Sequence, residues 1–188
     1  MVVDSPAAAR GQLVRRRLLE AAVALVPERG WSAVSTRILA ERAGVTPSVV
    51  HYHFPSLQAL LIEAVLGAMR EVAGAFEPVL ETAETPEAAV DAVLASIGGY
   101  SGTDPMSLLF TEAYLAATRD ETLRQGIRDV LAGLRTKFGA WLAERGVVDA
   151  DGTAAVLFAT VDGLLLHRAL EPESDPGSVA AVLRRLVR

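Results

Sequence analysis

Apolar residues recur at helical spacing along almost the whole sequence, and this periodicity limits the possible fold more than any other feature. In the first periodic segment, residues 12–28, the apolar positions follow the i, i+3, i+4, i+7 spacing that lines one face of an α-helix. They are Leu18, Ala21, Ala22 and Leu25. The alternation of β-branched and polar residues that is typical of a half-buried strand is absent, and so are Asn-Gly turns. The sequence therefore predicts an all-α fold.

Capping and turn residues divide this pattern into nine predicted helices. Gly30 ends the first helix, and Ser35 is placed to cap the second. Gly44 can adopt the positive φ that a sharp turn requires, and Thr46 and Pro47 then occupy the N-cap and first positions of the third helix. The predicted ranges are 12–28, 36–43, 47 to 51 or 52, 57–72 or beyond, 86–98, 105–117, 121–144, 152–170 and 176–187.

The residue types that are missing argue against several classes of function. The sequence contains no cysteine, so it can form neither a disulfide nor a cysteine-ligated zinc or iron–sulfur site. It also lacks a glycine-rich phosphate loop and the residue order of a hydrolytic triad, so we expect no cofactor, no metal and no enzymatic activity. No apolar run reaches the roughly 20 residues of a membrane-spanning helix, which predicts a cytoplasmic protein with no membrane partner.

Charge is distributed unevenly along a chain whose net charge is −5. Residues 10–54 carry seven arginines against three glutamates, a net charge of +4, whereas residues 55–188 carry 11 basic and 19 acidic side chains, a net charge of −8. A basic segment attached to an acidic body is the charge pattern of a module that approaches a polyanion. A solvated charge run without such a role is the alternative interpretation of the same pattern.

Two short helices joined by the turn Ala43-Gly44-Val45, with a longer helix before them, predict a helix-turn-helix motif. The second short helix of such a motif enters the major groove of DNA. The candidate DNA-binding residues combine hydroxyl donors, an arginine fork for phosphate or guanine, and apolar groups that suit a thymine methyl. They are Thr36, Arg37, Thr46, Pro47, Ser48, Val49, His51, Tyr52 and His53.

The segment STRILAERAGVTPSVVHYHF, together with the preceding AAVALVPERGW, resembles the DNA-binding domain of the TetR family of bacterial transcriptional regulators. The resemblance covers residues 13 to about 64 and includes the Thr-Arg pair that opens the second helix and the Ala-Gly-Val turn. It implies an N-terminal arm and helix-turn-helix domain, residues 1–56, followed by a helical ligand-binding and dimerisation domain, residues 57–188. It also implies a homodimeric repressor that binds a pseudo-palindromic operator of double-stranded DNA and is released by a small-molecule effector.

Three departures from the family pattern affect the expected DNA contacts. His51 occupies the position of an aromatic residue that contacts phosphate in the family, and the aromatic Tyr52 follows it. Leu57 replaces the lysine with which many members begin the fourth helix. Ser48 and Val49 replace the commoner residues of the third helix, so the operator sequence of a relative cannot be transferred. Which of His51 and Tyr52 contacts the phosphate is open at this point.

The helical body contains candidates for the effector pocket and for the dimer interface. Aromatic and methionine side chains are candidates to line a mostly apolar pocket. Cationic residues are scarce among these candidates, which favours an apolar effector that is either neutral or cationic. They are Met69, Phe76, Tyr100, Met106, Phe110, Tyr114 and Trp141. The segment 153–170 is hydrophobic nearly all round, so we expect either a second subunit or a deep monomer core to cover it. For the four-helix interface that the resemblance implies, the candidates are Leu157, Val161, Leu164, Leu165, Val182 and Leu186.

Two alternatives to the DNA-binding regulator accompany this interpretation. His51 and His53 could form a metal pair, but residues two apart on a helix point about 200° away from each other. No Asp, Glu or Cys lies between Arg42 and Glu63 to complete such a site. The other alternative is a helical module that binds a ligand or a partner protein without recognising a DNA sequence.

Overall fold

The computed structural model describes residues 6–171 and 176–188, so the first five residues of the predicted N-terminal arm lie outside the described residues. The described residues form ten α-helices and one short 3-10 helix and contain no strand, which confirms the all-α prediction. The helices are α1 (Pro6–Arg29), α2 (Thr36–Ala43), α3 (Pro47–His53), α4 (Leu57–Gly74), α5 (Glu77–Thr82), α6 (Pro86–Ser96), α7 (Pro105–Ala117), α8 (Glu121–Ala143), α9 (Ala150–Arg168) and α10 (Pro176–Leu186). Among the helices described, none combines the length and apolar character that crossing a membrane requires.

Helix bounds agree best with the predictions where a capping residue marks them. α2 has the predicted range, and the Ser35 hydroxyl accepts a hydrogen bond from the Ile38 N–H at 3.4 Å. α1 begins at Pro6, earlier than predicted, because proline is well tolerated in the first turn of a helix. The structure also contains the 3-10 helix Trp31–Ala33 and the helix α5, which were not predicted. Both are too short to repeat an apolar stripe.

The chain divides into two compact units. The first consists of Met1–Ala68 with Leu108–Arg124, and the second consists of Met69–Ser107 with Gln125–Arg188. The first unit therefore contains the predicted helix-turn-helix together with a segment of α7 and α8 that the sequence did not assign to it. The expected domain boundary at residue 56 lies just before α4, whereas the compact unit continues into that helix.

The three N-terminal helices share one core within the first unit. The apolar stripe of α1 is buried, and Leu18, Ala22 and Leu25 have no exposed surface. Leu39 of α2 and Val50 of α3 are buried as well. Each buried leucine stabilises the fold by roughly 1.5–3 kcal/mol, so this core holds the angles between the three helices.

Trp31, in the connection between α1 and α2, forms hydrogen bonds to two later helices of the first unit. Its backbone N–H donates to Glu112 Oε2 of α7 at 2.7 Å, and its indole N–H donates to Gln58 Oε1 of α4 at 3.2 Å. The tryptophan side chain is buried. Gly30 precedes it with a φ of 83°, a conformation that side-chain-bearing residues rarely adopt. The helix-turn-helix is thus tied to α4 and α7 by hydrogen bonds as well as by packing.

Aromatic residues of α8 and α9 form the centre of the second unit. The ring of Phe158 makes edge-to-face contacts with Phe76 and Phe138, whose centroids lie 5.9 and 5.6 Å away. Phe138 also stacks on Trp141, with the two ring centroids 6.1 Å apart. These rings pack within the hydrophobic cluster of the unit.

The seven candidate pocket residues are distributed over both compact units. Phe110 and Tyr114 belong to the first unit. Met69 is buried, and Phe76 and Tyr100 pack against the hydrophobic clusters of the second unit. The remaining candidates, Met106 and Trp141, belong to the second unit. The assignment of these seven residues to one effector pocket stays a prediction, because large apolar side chains are suited equally to a pocket and to a core.

Two of the six candidate interface residues are buried in their own chain. Leu157 is 5% exposed and Val161 is 7% exposed, and each packs in a hydrophobic cluster of the second unit. The other four are half-buried or exposed. Leu157 and Val161 therefore offer little surface to a second subunit, and the interface itself stays a prediction. Because α9 is apolar on nearly every side, its sequence does not distinguish the face that meets the core from the face that is open.

Candidate nucleic-acid interface

A tight turn at Gly44 joins the two short helices of the motif. Gly44 has φ 66° and ψ 40°, the left-handed conformation that commonly ends a helix. Its N–H donates to the carbonyl of Glu41 at 3.1 Å, and the N–H of Val45 donates to the carbonyl of Ala40 at 3.0 Å. These two bonds satisfy carbonyls at the end of α2 and reverse the chain within two residues. The predicted turn is thereby present.

α3 begins where the sequence predicted, although its cap differs in detail. Thr46 occupies the N-cap position and Pro47 the first helical position. The Thr46 hydroxyl makes no capping bond to the backbone and pairs instead with the Ser48 hydroxyl at 2.8 Å. α3 ends at His53, and the N–H of Phe54 donates to the carbonyl of Val50 at 2.9 Å. The two hydroxyls thus form a polar pair at the start of α3.

Inward and outward side chains of the motif separate as expected from the sequence. Ala43, Val50 and Phe54 are buried, so one side of α3 is committed to the core. The nine candidate DNA-binding residues all lie on the accessible side. Thr36, Val49 and His53 are half-buried, and Arg37, Thr46, Pro47, Ser48, His51 and Tyr52 are exposed. The motif therefore presents a continuous stretch of donors and apolar groups to solvent.

The arginines of the basic N-terminal segment do not all belong to this surface. Arg42 forms a two-point ion pair with Glu28, with nitrogen–oxygen distances of 2.9 and 2.5 Å. This hydrogen bonding holds the pKa of the Glu28 carboxyl below its ordinary value. Arg10 and Arg37, in contrast, have no hydrogen-bond or ion-pair partner within the described part of the chain. The free guanidinium of Arg37 stands one residue inside the N-terminus of α2, where it can meet a phosphate.

Tyr52 is the most prominent side chain of α3. It is 85% exposed, and its ring meets the ring of His53 edge to face with centroids 5.1 Å apart. His53 in turn lies beside Gly11 of α1, so the tyrosine is supported from the protein side. His51 is exposed without such support. Within residues 6–171 and 176–188, no group of three or more potential ligands that could hold a metal ion is present.

Two protein-family models match this chain. Residues 18–64 match the model described as bacterial regulatory proteins of the tetR family, and residues 84–188 match the tetracyclin repressor-like C-terminal domain. The second match alone covers more than half of the chain. The chain belongs to the TetR family. Its helix-turn-helix, built around Gly44, lies inside the first match.

Relatives in the TetR family cover nearly the whole chain. The HTH-type transcriptional regulator BetI of Rhizobium meliloti (strain 1021) is 31% identical over 180 residues, which span 88% of this chain and 84% of that protein. A transcriptional regulator of Streptomyces coelicolor A3(2) has a similar structure, with a TM-score of 0.78, 30% identity, and coverage of 93% of this chain and 98% of that one. The multidrug binding protein EbrR, solved in complex with imidazole, has a similar structure with a TM-score of 0.67 and 30% identity. The match covers 93% of this chain and 94% of that one.

As a TetR-family protein, this chain is a DNA-binding transcriptional regulator. The matched models and relatives are regulators of transcription and not enzymes. Sequence reasoning missed that residues 108–124 belong to the same compact unit as the helix-turn-helix. It also missed the hydrogen bond from Trp31 to Glu112, because 81 positions separate the two residues and no local pattern relates them.

Replacing Arg37 with alanine should weaken DNA binding through the loss of one phosphate contact. Each phosphate neutralised by the protein adds about 0.9 to the slope of log affinity against log salt concentration, so Arg37→Ala should reduce that slope by roughly 1. Fluorescence anisotropy with a labelled duplex, repeated over a series of salt concentrations, measures it. Arg119→Ala, at an exposed arginine outside the motif, serves as the control with an unchanged slope. Equal salt slopes for the two variants would show that Arg37 does not contact a DNA phosphate.

Proposed function

We propose that this protein is a ligand-released repressor that binds a pseudo-palindromic operator as a homodimer. The observation that carries the proposal is the outward surface of α2 and α3, which exposes Arg37 and Tyr52 while Val50 is committed to the core. Two copies related by a two-fold axis would read half-sites about 34–36 Å apart, or one turn of DNA. Such a regulator acts in the bacterial cytoplasm, where the chromosome lies.

Base recognition is assigned to the start of α3, and positioning to residues on either side of it. Pro47 and Val49 supply apolar contacts for a thymine methyl, and the Ser48 hydroxyl supplies a hydrogen bond to a base edge. Arg37 contacts phosphate. For the second phosphate contact we favour Tyr52 over His51, because the tyrosine is 85% exposed and its ring is already held by His53.

The dimer interface is assigned to the open apolar face of α9 together with α10. Val156 and Leu166 of α9 are 50% and 53% exposed, and Leu170, which follows the helix, is 78% exposed. Ala159 and Gly163 lie between Val156 and Leu166 on the same side of α9, so a second helix could approach closely. From the original candidates this proposal keeps Val182 and Leu186, which are exposed on α10, because Leu164 and Leu165 pack against the same cluster as Val161. An exposed apolar face of this extent is typical of a protein interface.

Replacing Leu166 with glutamate should separate the dimer without unfolding the chain. A carboxylate in the middle of an apolar interface would lose its hydration, whereas in the monomer it would stay in water. Size-exclusion chromatography with light scattering should give a monomer, and operator affinity should fall because the two half-sites are no longer bound together. Leu115→Glu, at a residue of α7 that is 54% exposed, is the matched control and should remain dimeric. A Leu166→Glu protein that elutes as a dimer would refute the assigned interface.

We assign the effector to a groove of the second unit. The closed apolar cavity among Val90, Phe138 and Phe158 has a volume of about 10 Å³, which holds no more than one water molecule. An open groove of about 390 Å³ lies along α8, and a volume above about 300 Å³ is the size that small-molecule ligands require. It is lined by Arg70, Ala73, Gly74, Glu77, Asp129, Val130, Gly133, Leu134 and Lys137.

The charges in this groove favour an effector with an acidic group on an apolar body. Lys137 is paired with Glu77, and the pKa of that glutamate lies below its ordinary value because the ammonium donates to it. Asp129 accepts a hydrogen bond from Gln125 at 2.7 Å. Arg70 has no hydrogen-bond or ion-pair partner within the described residues, so its guanidinium is available to a carboxylate. This proposal keeps the expected apolar body but replaces the expected neutral or cationic charge of the effector with one acidic group.

The proposed release acts through α4. Residues 57–68 of this helix belong to the first unit and residues 69–74 to the second, so one continuous helix contributes to the DNA-binding unit and to the groove. An effector releases DNA only if it binds the DNA-incompetent conformation better than the DNA-bound one. Its binding and operator binding must therefore weaken each other by the same factor.

Filling the groove should abolish the effector response and leave DNA binding intact. Gly133 lines the groove and has open space where a Cβ would stand, so the tryptophan side chain introduced by Gly133→Trp would begin without a clash and extend into the groove. Apolar carboxylic acids that raise the melting temperature of the wild type should not raise that of the variant, and they should no longer release its DNA. Ala132→Trp, on the same helix but outside the groove lining, should respond like the wild type. Unchanged binding of such an acid to Gly133→Trp would place the effector elsewhere.

A further inference from the structure

Two arginines of α1 hold the recognition helix α3 at its two ends. At the N-terminal end, the Arg17 guanidinium donates from Nη2 to the carbonyl of Ala43 at 2.5 Å. Ala43 is the last residue of α2, and its carbonyl belongs to the end of a helix, where no backbone N–H is available to it. A cation at this end is also favoured by the helix dipole. Arg17 therefore supplies the hydrogen bond that the Ala43 carbonyl lacks and places a positive charge at the turn before α3.

The contact between Arg17 and the turn is close enough to restrict the turn residue. The Nη2 atom of Arg17 lies 2.6 Å from the position that a Cβ on Gly44 would occupy. Any larger residue would displace the guanidinium as well as strain a backbone with φ 66°. The side chain of Arg17 and the glycine of the turn therefore fit together as one local arrangement, even though much of Arg17 is exposed.

Arg15 makes the corresponding contacts at the C-terminal end of α3. Its Nη2 atom lies 2.5 Å from Glu63 Oε2 of α4, and its guanidinium carbon lies 4.7 Å from the ring centroid of Phe54. Phe54 directly follows α3 and is 3% exposed, so the arginine covers a ring that is fixed in the core. Arg15 thus joins α1, the end of α3 and α4.

We propose that Arg15 and Arg17 are positioning residues for DNA recognition, which set the direction of α3 and do not themselves contact DNA. The inference rests on the proposal that α3 reads the operator. It divides the basic segment into two groups, since Arg37 faces outward without a partner while Arg15 and Arg17 have their donors directed at protein oxygens. Positive charge in this segment is then no measure of the number of phosphates bound.

The test for Arg17 separates the effect of its positive charge on DNA binding from the effect of its hydrogen bond to Ala43. The probes are a duplex selected by the wild type from random-sequence DNA and a scrambled duplex of equal length, each titrated over a series of salt concentrations. Arg17→Ala should lower the ratio of specific to nonspecific affinity about tenfold or more and leave the salt slope unchanged. Arg17→Gln keeps an N–H donor but no charge, so its ratio should lie between those of the alanine variant and the wild type, again with an unchanged slope.

Other outcomes for Arg17 overturn the proposal. If either variant reduces the salt slope by about 1, as expected for Arg37→Ala, Arg17 binds phosphate. If Arg17→Ala lowers the melting temperature but the folded protein keeps its specificity ratio, the residue has a structural role alone. If the alanine variant does not fold, the specificity ratio and salt slope of Arg17→Gln are compared with those of the wild type.

Glu63→Gln gives an independent test of Arg15. It removes only the partner of a half-exposed ion pair, so the variant should fold. If Arg15 positions α3, the specificity ratio should fall by roughly two- to fivefold with no gain in nonspecific affinity. If Arg15 binds DNA, releasing it and removing a negative charge should instead raise affinity for both duplexes. A wild type that selects no sequence would refute DNA reading by α3, whereas normal selection with unaffected Arg17 and Glu63 variants would refute this inference alone.

Discussion

The reversal of the chain at Gly44 is the constraint on which the DNA-binding surface depends. Its left-handed conformation ends α2, directs Val45 back onto the carbonyl of Ala40, and sets the angle at which α3 leaves. Only with this angle can Val50 and Phe54 enter the core while the opposite side of α3 faces solvent. The turn therefore determines both the packing of the motif and the identity of its exposed residues.

Charge has two separate uses in the basic N-terminal segment. Arg15, Arg17 and Arg42 are directed at protein oxygens and hold α1, α2 and α4 together. Arg37 and Arg10 have no partner within the described ranges and are among the cations available to a polyanion. A net charge of +4 correctly pointed to the function, because the arginines paired within the protein and those without a partner lie in the same segment. It could not separate them, because the distinction depends on contacts between helices.

The sequence predicted the helix-turn-helix and the bounds of the later helices well, but it did not predict which sides of the later helices are buried. In the motif each boundary has its own chemical signal, such as Ser35, Gly44 and Pro47, and the two sides of each helix differ in polarity. In α9 nearly every side is apolar, so the sequence could not show that Leu157, a candidate for the interface, is buried in its own chain. The pairing of Trp31 with Glu112 has no local signal at all.

Selection of bound duplexes from random-sequence DNA tests most directly whether α3 reads the operator. The comparison is between the wild type and a double variant, Ser48→Ala with Val49→Ala, which changes two accessible side chains without touching the buried side of α3. The account predicts that the wild type enriches a sequence with two-fold symmetry, and that the variant changes the preferred bases at equivalent positions in both half-sites. Selection of the same sequence by both proteins would contradict it, because recognition would then lie outside α3.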